Sequence, residues 1–307
     1  MDKRKTLAHT VASITILVWG TTFIATKLLL ETFNPLEILI IRFVMGFIGL
    51  SLYDAIVNRN SRPPLSLRQE LLFAAAGLCG VVIYYFLENV ALTMTSASNV
   101  GIIVSIAPLT TALVGLFFLK EEKFKIALLI GFLIASLGVA LVMFNGQIEF
   151  QVSLGGDLLS LAATFGWAVY SILLRKIDTK NYKVATYTKK IFFYGIIWML
   201  PISLFSGFSV SAADFTFRNI ALLIFLGLGA SAGCFVSWNF AVSVLGVYKT
   251  SGYIYLTPLI TLFTAALVLK EPITIMALGG CFLIFLGLYL SKKGGPGTSD
   301  ISDGLAS

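Results

Sequence analysis

Residues 108–121 read PLTTALVGLFFLKE and residues 258–271 read PLITLFTAALVLKE. An apolar helix that opens on proline and closes on Lys-Glu therefore occurs twice, about 150 positions apart. The match runs on upstream, where Asn89 and Ala91 fall opposite Asn239 and Ala241. It also runs downstream, where Gly131 and Gly138 fall opposite Gly280 and Gly287. One unit has been duplicated, which places the expected repeats at 1–147 and 148–293 and leaves 294–307 as a Gly/Ser/Asp-rich tail with the composition of a disordered segment.

Composition sets the class. Hydrophobic residues make up 58% of the chain and charged residues 12%, with a mean hydropathy of +0.93, more apolar than a soluble core requires. A spanning helix needs about 20 mostly apolar residues. Ten such segments fit between the charged or Pro/Gly/Asn-rich breaks, at roughly 10–30, 36–57, 70–92, 97–119, 125–144, 156–175, 188–207, 218–242, 248–269 and 272–291. Each run is continuously apolar, so these are helices rather than barrel strands. The expectation is an all-α membrane protein with ten transmembrane helices, five per repeat. The first segment is too long for a signal-peptide core and lacks a cleavage site, so it belongs to the fold. Cys79, Cys234 and Cys281 lie inside predicted helices at unrelated positions and suggest no disulfide framework.

Lys and Arg mark the cytoplasmic side. With the N-terminus inside, the inner segments carry the basic residues from Lys3, Arg4 and Lys5 through Arg59, Arg62, Arg68, Lys120, Lys123, Lys125, Arg175, Lys176, Lys180, Lys183, Lys189, Lys190 and Lys249 to Lys292 and Lys293. The outer segments carry only Arg218 and Lys270. The net charge of +7 is thus an orientation signal for a multi-pass inner-membrane protein with both termini cytoplasmic, and it removes the main reason to propose nucleic-acid binding. An odd helix count per repeat inverts the second copy relative to the first, which is the architecture of alternating-access carriers.

Beyond composition, the stretch WGTTFIATK at 19–27, NPLE at 34–37, Arg42, ALTMTSAS at 91–98 and the Pro-to-Lys-Glu helix resemble the EamA repeat of the drug/metabolite transporter superfamily. The resemblance covers nearly the whole chain and is stronger in the first copy. The second has WAVYSILLR for WGTTFIATK and Lys190 where the first has Arg42. It implies two inverted five-helix repeats and transport of small metabolites, commonly export of amino acids or related compounds. An importer or exchanger of another metabolite or of a drug-like cation stays open, as do a lipid flippase and a non-transport membrane subunit.

Helical spacing selects the faces that line a path. On the first helix the stripe is Thr15, Trp19, Thr22 and Thr26, with Phe23 beside it; on the sixth it is Ser160, Thr164, Trp167 and Ser171, with Tyr170 beside it. Trp19 and Trp167 are repeat mates near mid-segment, away from the interface that Trp usually occupies, and read either as pocket walls or as bundle-core residues. Tyr84 and Glu88 share a face of the third helix. Glu88 is the only carboxylate expected well inside a segment, where a charge is costly and marks a functional site or an ion pair with Arg42 or Lys27. Its repeat mate is Trp238. Arg42 could take a substrate carboxylate bidentately, so Arg42 and Glu88 together would suit a zwitterion. Lys27 reads as a snorkelling residue. Asn99 and Ser105, with Ser251 and Tyr255, complete the candidate substrate set, and Pro108 and Pro258 are candidate gates because each frees a backbone carbonyl. The recurring glycines read as packing positions, and Lys120-Glu121 and Lys270-Glu271 as interface anchors. His9 is the only histidine. No metal cluster, catalytic triad or phosphate loop can be built, so no enzyme activity, metal or cofactor is expected. The expected partners are a small-molecule substrate and the lipid bilayer, and a homodimer stays open.

Overall fold

A computed structural model describes residues 3–57, 66–118, 126–143, 150–178, 181–206 and 208–293. Lys120-Glu121 and the tail lie outside these residues. The described residues are helical and contain no strand. In chain order the helices are α1 (Lys3–Leu29), α2 (Pro35–Val57), α3 (Leu67–Met94), α4 (Ala97–Phe118), α5 (Ile126–Met143), α6 (Phe150–Leu174), α7 (Val184–Ser206) and α8 (Phe217–Leu245). α9 follows in three pieces, Val247–Ser251, a 3-10 turn over Gly252–Leu256, and Thr257–Val268, and then α10 (Ile275–Lys293).

Seven of these, α1, α2, α3, α4, α6, α8 and α9, are long and apolar enough to cross a membrane. α5 and α10 offer shorter apolar stretches, Ile130–Val142 and Ile275–Gly287. α7 carries Lys189 and Lys190 near its start, where each is paired to a carboxylate, Asp54 and Glu70 respectively. Large apolar side chains such as Leu52, Phe117, Leu133, Leu204 and Phe282 face outward, a surface that only lipid would cover. The protein is a multi-pass membrane protein.

The start of α2 explains the NPLE stretch. Asn34 Oδ1 accepts from the amides of Leu36 and Glu37 at 3.0 and 2.9 Å, and Glu37 Oε2 accepts from the Asn34 amide at 2.8 Å. This is a capping box with Pro35 in the first helical position, where a missing N–H costs nothing. The other carboxylate oxygen of Glu37 accepts from the Ser209 amide at 2.8 Å, which ties the α7–α8 connection to the same point.

Packing joins the two halves reciprocally. α1 packs on α8 and α9, and its repeat mate α6 packs on α3 and α4. α2 packs on α8, while α7 packs on α3; α5 packs on α10. Glycines allow these approaches. A Cβ on Gly77 would stand 2.6 Å from the Ile191 carbonyl, and one on Gly227 would stand 3.2 Å from that of Arg42. At the α5–α10 contact a Cβ on Gly138 would meet the Gly280 carbonyl at 2.6 Å, and one on Gly287 would meet the Gly131 carbonyl at 2.4 Å. The heptad-spaced glycines are therefore packing positions.

Because backbone sits opposite backbone there, Gly138→Ala or Gly287→Ala must push α5 and α10 apart. The expected loss is about 1–3 kcal/mol, seen as a lower Tm in detergent. Gly229→Ala is the control, since its Cβ would meet only Phe225 at 3.8 Å; it should melt like the parent.

Candidate functional site

Two helices break beside one cavity. α4 loses its regular hydrogen bonding at Ser105–Ile106, whose amides reach only three residues back, between the pieces Ala97–Val104 and Ala107–Phe118. α9 tightens into its 3-10 turn before Thr257. Both prolines sit just beyond the breaks, so Pro108 and Pro258 start the second helical pieces instead of bending a continuous helix. Val104 and Ala107 from one break, and Ile254 and Thr257 from the other, line a common cavity. These are repeat mates.

The rest of the lining comes from α1 (Ile16, Trp19, Thr22, Phe23), α3 (Tyr84, Tyr85, Glu88) and α6 (Trp167). Its aromatic wall is tightly keyed. The Trp19 and Trp167 rings meet edge to face at 5.4 Å, and Tyr84 lies 5.2 Å from Trp167. The free volume is about 30 Å³, room for a water or two and not for a metabolite. Glu88 is the only charged residue in the lining and is 1% exposed. Its Oε1 has no hydrogen-bond partner, and neither does the indole N–H of Trp167. Buried polar atoms left unpaired are costly. An unpaired acceptor and an unpaired donor thus belong to two residues that line a small aromatic space between two broken helices.

The profile of the EamA-like transporter family matches residues 6–144 and 154–292. This chain belongs to that family. An "Uncharacterized transporter" of Archaeoglobus fulgidus is 30% identical over 286 residues, covering 92% of this chain and 96% of the relative. The "Uncharacterized transporter YyaM" of Bacillus subtilis is 27% identical over 89% of each chain. A "Probable terminal-alkyne amino-acid exporter" of Streptantibioticus cattleyicolor is 26% identical over 91% of each. One solved structure, titled "Crystal structure of protein", matches with a TM-score of 0.67 at 18% identity, over 96% of this chain and 98% of that one; it shares the fold.

Of the residues singled out in the sequence, this EamA-like transporter brings Trp19, Thr22, Phe23, Tyr84, Glu88 and Trp167 to one cavity. Trp238 stands directly behind, 5.2 Å from Trp19 and 6.1 Å from Trp167. Arg42 does not line the cavity. Its guanidinium is fully buried, donates from Nε to Ser231 Oγ at 2.7 Å, lies 4.2 Å from the Tyr85 ring and leaves both Nη atoms unpaired. Arg42 and Glu88 feel each other's charge, but no contact ion pair joins them among the described residues. Tyr170 donates to Asn239 Oδ1 at 2.9 Å, and Asn239 in turn donates to Thr188, a packing network. Thr26, Ser171 and Ser251 are buried outside the lining, as is Ser105, whose hydroxyl donates to the Ile102 carbonyl at 2.6 Å. Tyr255 packs on a separate apolar cluster around Ile102 and Leu262.

A second polar group closes one end of the bundle. Lys27 does not snorkel: its ammonium donates to the carbonyls of Leu92 and Thr95 at 2.7 and 2.6 Å, a cation on the C-terminus of α3. Glu271 accepts from the Ala97 and Ser98 amides at 2.9 and 3.0 Å, an anion on the N-terminus of α4. Asn99 and Thr95 both donate to Asp157, which is 0% exposed. The sequence reading passed over this second inner carboxylate. Its signal was the α6 stripe itself, since Asp157 stands three residues before Ser160 on the same face. Ile16, Tyr85 and the residues just ahead of the two prolines were also passed over, being apolar or adjacent to a chosen position.

The two tryptophans differ in one bond. Trp19 donates to the Ala230 carbonyl at 2.9 Å, whereas Trp167 donates to nothing. Trp19→Phe therefore removes a hydrogen bond and should lose about 0.5–1.5 kcal/mol from that bond. Trp167→Phe should lose less, and the order of the two Tm values checks this.

Proposed function

We propose that this transporter is an alternating-access carrier for amino acids or related amine-bearing compounds with apolar or aromatic bodies, working outward across the cell's inner membrane. In this reading ten helices form two inverted five-helix repeats with both termini in the cytoplasm. The reciprocal packing of α1 with α8 and of α6 with α3 supports a two-fold relation between the halves, and sites at such an interface are where carriers bind. The observation that carries the reading is that Glu88 and Trp167, each with an unpaired buried polar atom, line one space too small for cargo. Loading requires rearrangement, and the breaks in α4 and α9, one turn from Pro108 and Pro258, are the hinges. The name of the Streptantibioticus cattleyicolor relative supports an amino-acid-like cargo. The direction of transport rests on the same likeness.

The test is transport by purified protein in liposomes against a panel of amines and amino acids. Glu88→Gln keeps the shape of the side chain and removes its charge. Since no contact ion pair is broken, its stability loss should fall short of the about 3–5 kcal/mol that such a break costs, while transport per folded molecule drops by about tenfold or more. A variant that transports normally sinks the assignment.

Topology is checked separately. With the native cysteines replaced, Asn181→Cys should react with an impermeant maleimide only from the cytoplasmic side and Ser211→Cys only from outside. Outside labelling at position 181 would make the halves parallel and remove the basis for alternating access.

A further inference from the structure

We infer that the cavity selects organic monocations, an ammonium on an apolar or aromatic body with no free carboxylate, over zwitterionic amino acids. The inference rests on the carrier reading above and narrows its substrate class. It follows from an inventory of charge and hydrogen-bonding capacity around the cavity.

The cavity lining holds one carboxyl group, that of Glu88, and no basic side chain. Lys27 and Arg42, the basic side chains deep in α1 and α2, both lie outside the lining. Lys27 is held by the carbonyls of Leu92 and Thr95. Arg42 donates from Nε to Ser231 and stands against the face of Tyr85; its Nη atoms are unpaired, but it is absent from the lining. A substrate carboxylate entering this space would meet no cation in the lining, and a buried charge without a contact partner is expensive.

Everything else in the lining suits an ammonium. Glu88 presents an oxygen with no donor. The Thr22 hydroxyl spends its proton on the Trp19 carbonyl at 2.7 Å, which leaves its lone pairs as acceptors. Trp19, Trp167 and Tyr84 supply aromatic surface, and a cation near such rings gains further attraction. The Trp167 N–H is unspent, and the other donors in the lining are neutral hydroxyls such as that of Thr257. Neutral donors match a carbonyl or hydroxyl on the cargo and do not neutralise a carboxylate. Primary and secondary amines fit, with an amide or hydroxyl tolerated.

The experiment is isothermal calorimetry on the full-length protein in detergent with matched pairs that differ only by the carboxylate. The pairs are 2-phenylethylamine with phenylalanine, tryptamine with tryptophan, and 3-methylbutylamine with leucine; phenylalaninamide serves as the neutral-carbonyl member. At least one amine should bind about tenfold or more tighter than its amino acid, phenylalaninamide should side with phenylethylamine, and Glu88→Gln should weaken the amine about tenfold or more. Equal or tighter binding of the amino acids overturns the inference while leaving a carrier centred on Glu88 intact. Amine binding unchanged in Glu88→Gln overturns both. Binding by none of the probes overturns the selectivity, and the liposome experiment then judges the carrier reading alone. The ligand comparison needs no variant, so it holds if Glu88→Gln fails to fold.

Discussion

In the hydrocarbon layer a peptide group has no water to turn to, and every amide and carbonyl must find its partner inside the protein. The arrangement of this molecule depends on that constraint. Two helices, α4 and α9, give up regular hydrogen bonding at their centres, and such irregular backbone is tolerated only where protein covers it or a cavity lies against it. Both conditions are met by setting the two breaks around one space and closing that space with α1, α3 and α6. Two further irregularities, the π-helical stretches Leu78–Ile83 in α3 and Phe225–Gly233 in α8, occupy matching positions in the two halves. The second supplies Ala230 to Trp19 and Ser231 to Arg42. Departures from the α-helix thus cluster around the residues that carry polar chemistry.

Duplication gives the cavity near-symmetry, and a few substitutions then break it. Trp19 and Trp167 are mates, as are Val104 and Ile254, yet Glu88 answers to Trp238. The cavity therefore has a single acid, on one side only. Arg42 shows the same division of labour: it answers to Lys190, which pairs with Glu70, while Arg42 itself has no carboxylate in contact.

Much of this was legible in the residues. The repeated PL…KE helix announces the duplication, apolar runs announce the helices, and the Thr/Trp stripe of α1 and Ser/Thr/Trp stripe of α6 identify faces that turn inward, because period and polarity are properties of the chain alone. The pairings were not legible. Whether Arg42 meets Glu88, or Lys27 reaches lipid headgroups, depends on the azimuth of one helix against another, which sequence does not encode locally. The π-helical stretches were invisible for a related reason. FLGLGASAG at 225–233 reads as a small-residue packing surface, and the extra residue per turn is dictated by what stands opposite. Asp157 was missed because it sits at the start of its segment, where a charge looks like a boundary.

The Glu271 cap on α4 bears on how the molecule comes into being. The carboxylate that satisfies the Ala97 amide lies 174 positions further along the chain, so a ribosome delivers α4 to the membrane long before its anion exists. Until then the start of α4 has only its local cap, Ser96 on the Asn99 amide, and the Ala97 and Ser98 amides gain their anion as the trailing half arrives beside it. A gene cut between the two copies would yield a first fragment lacking the carboxylate that completes this helix end.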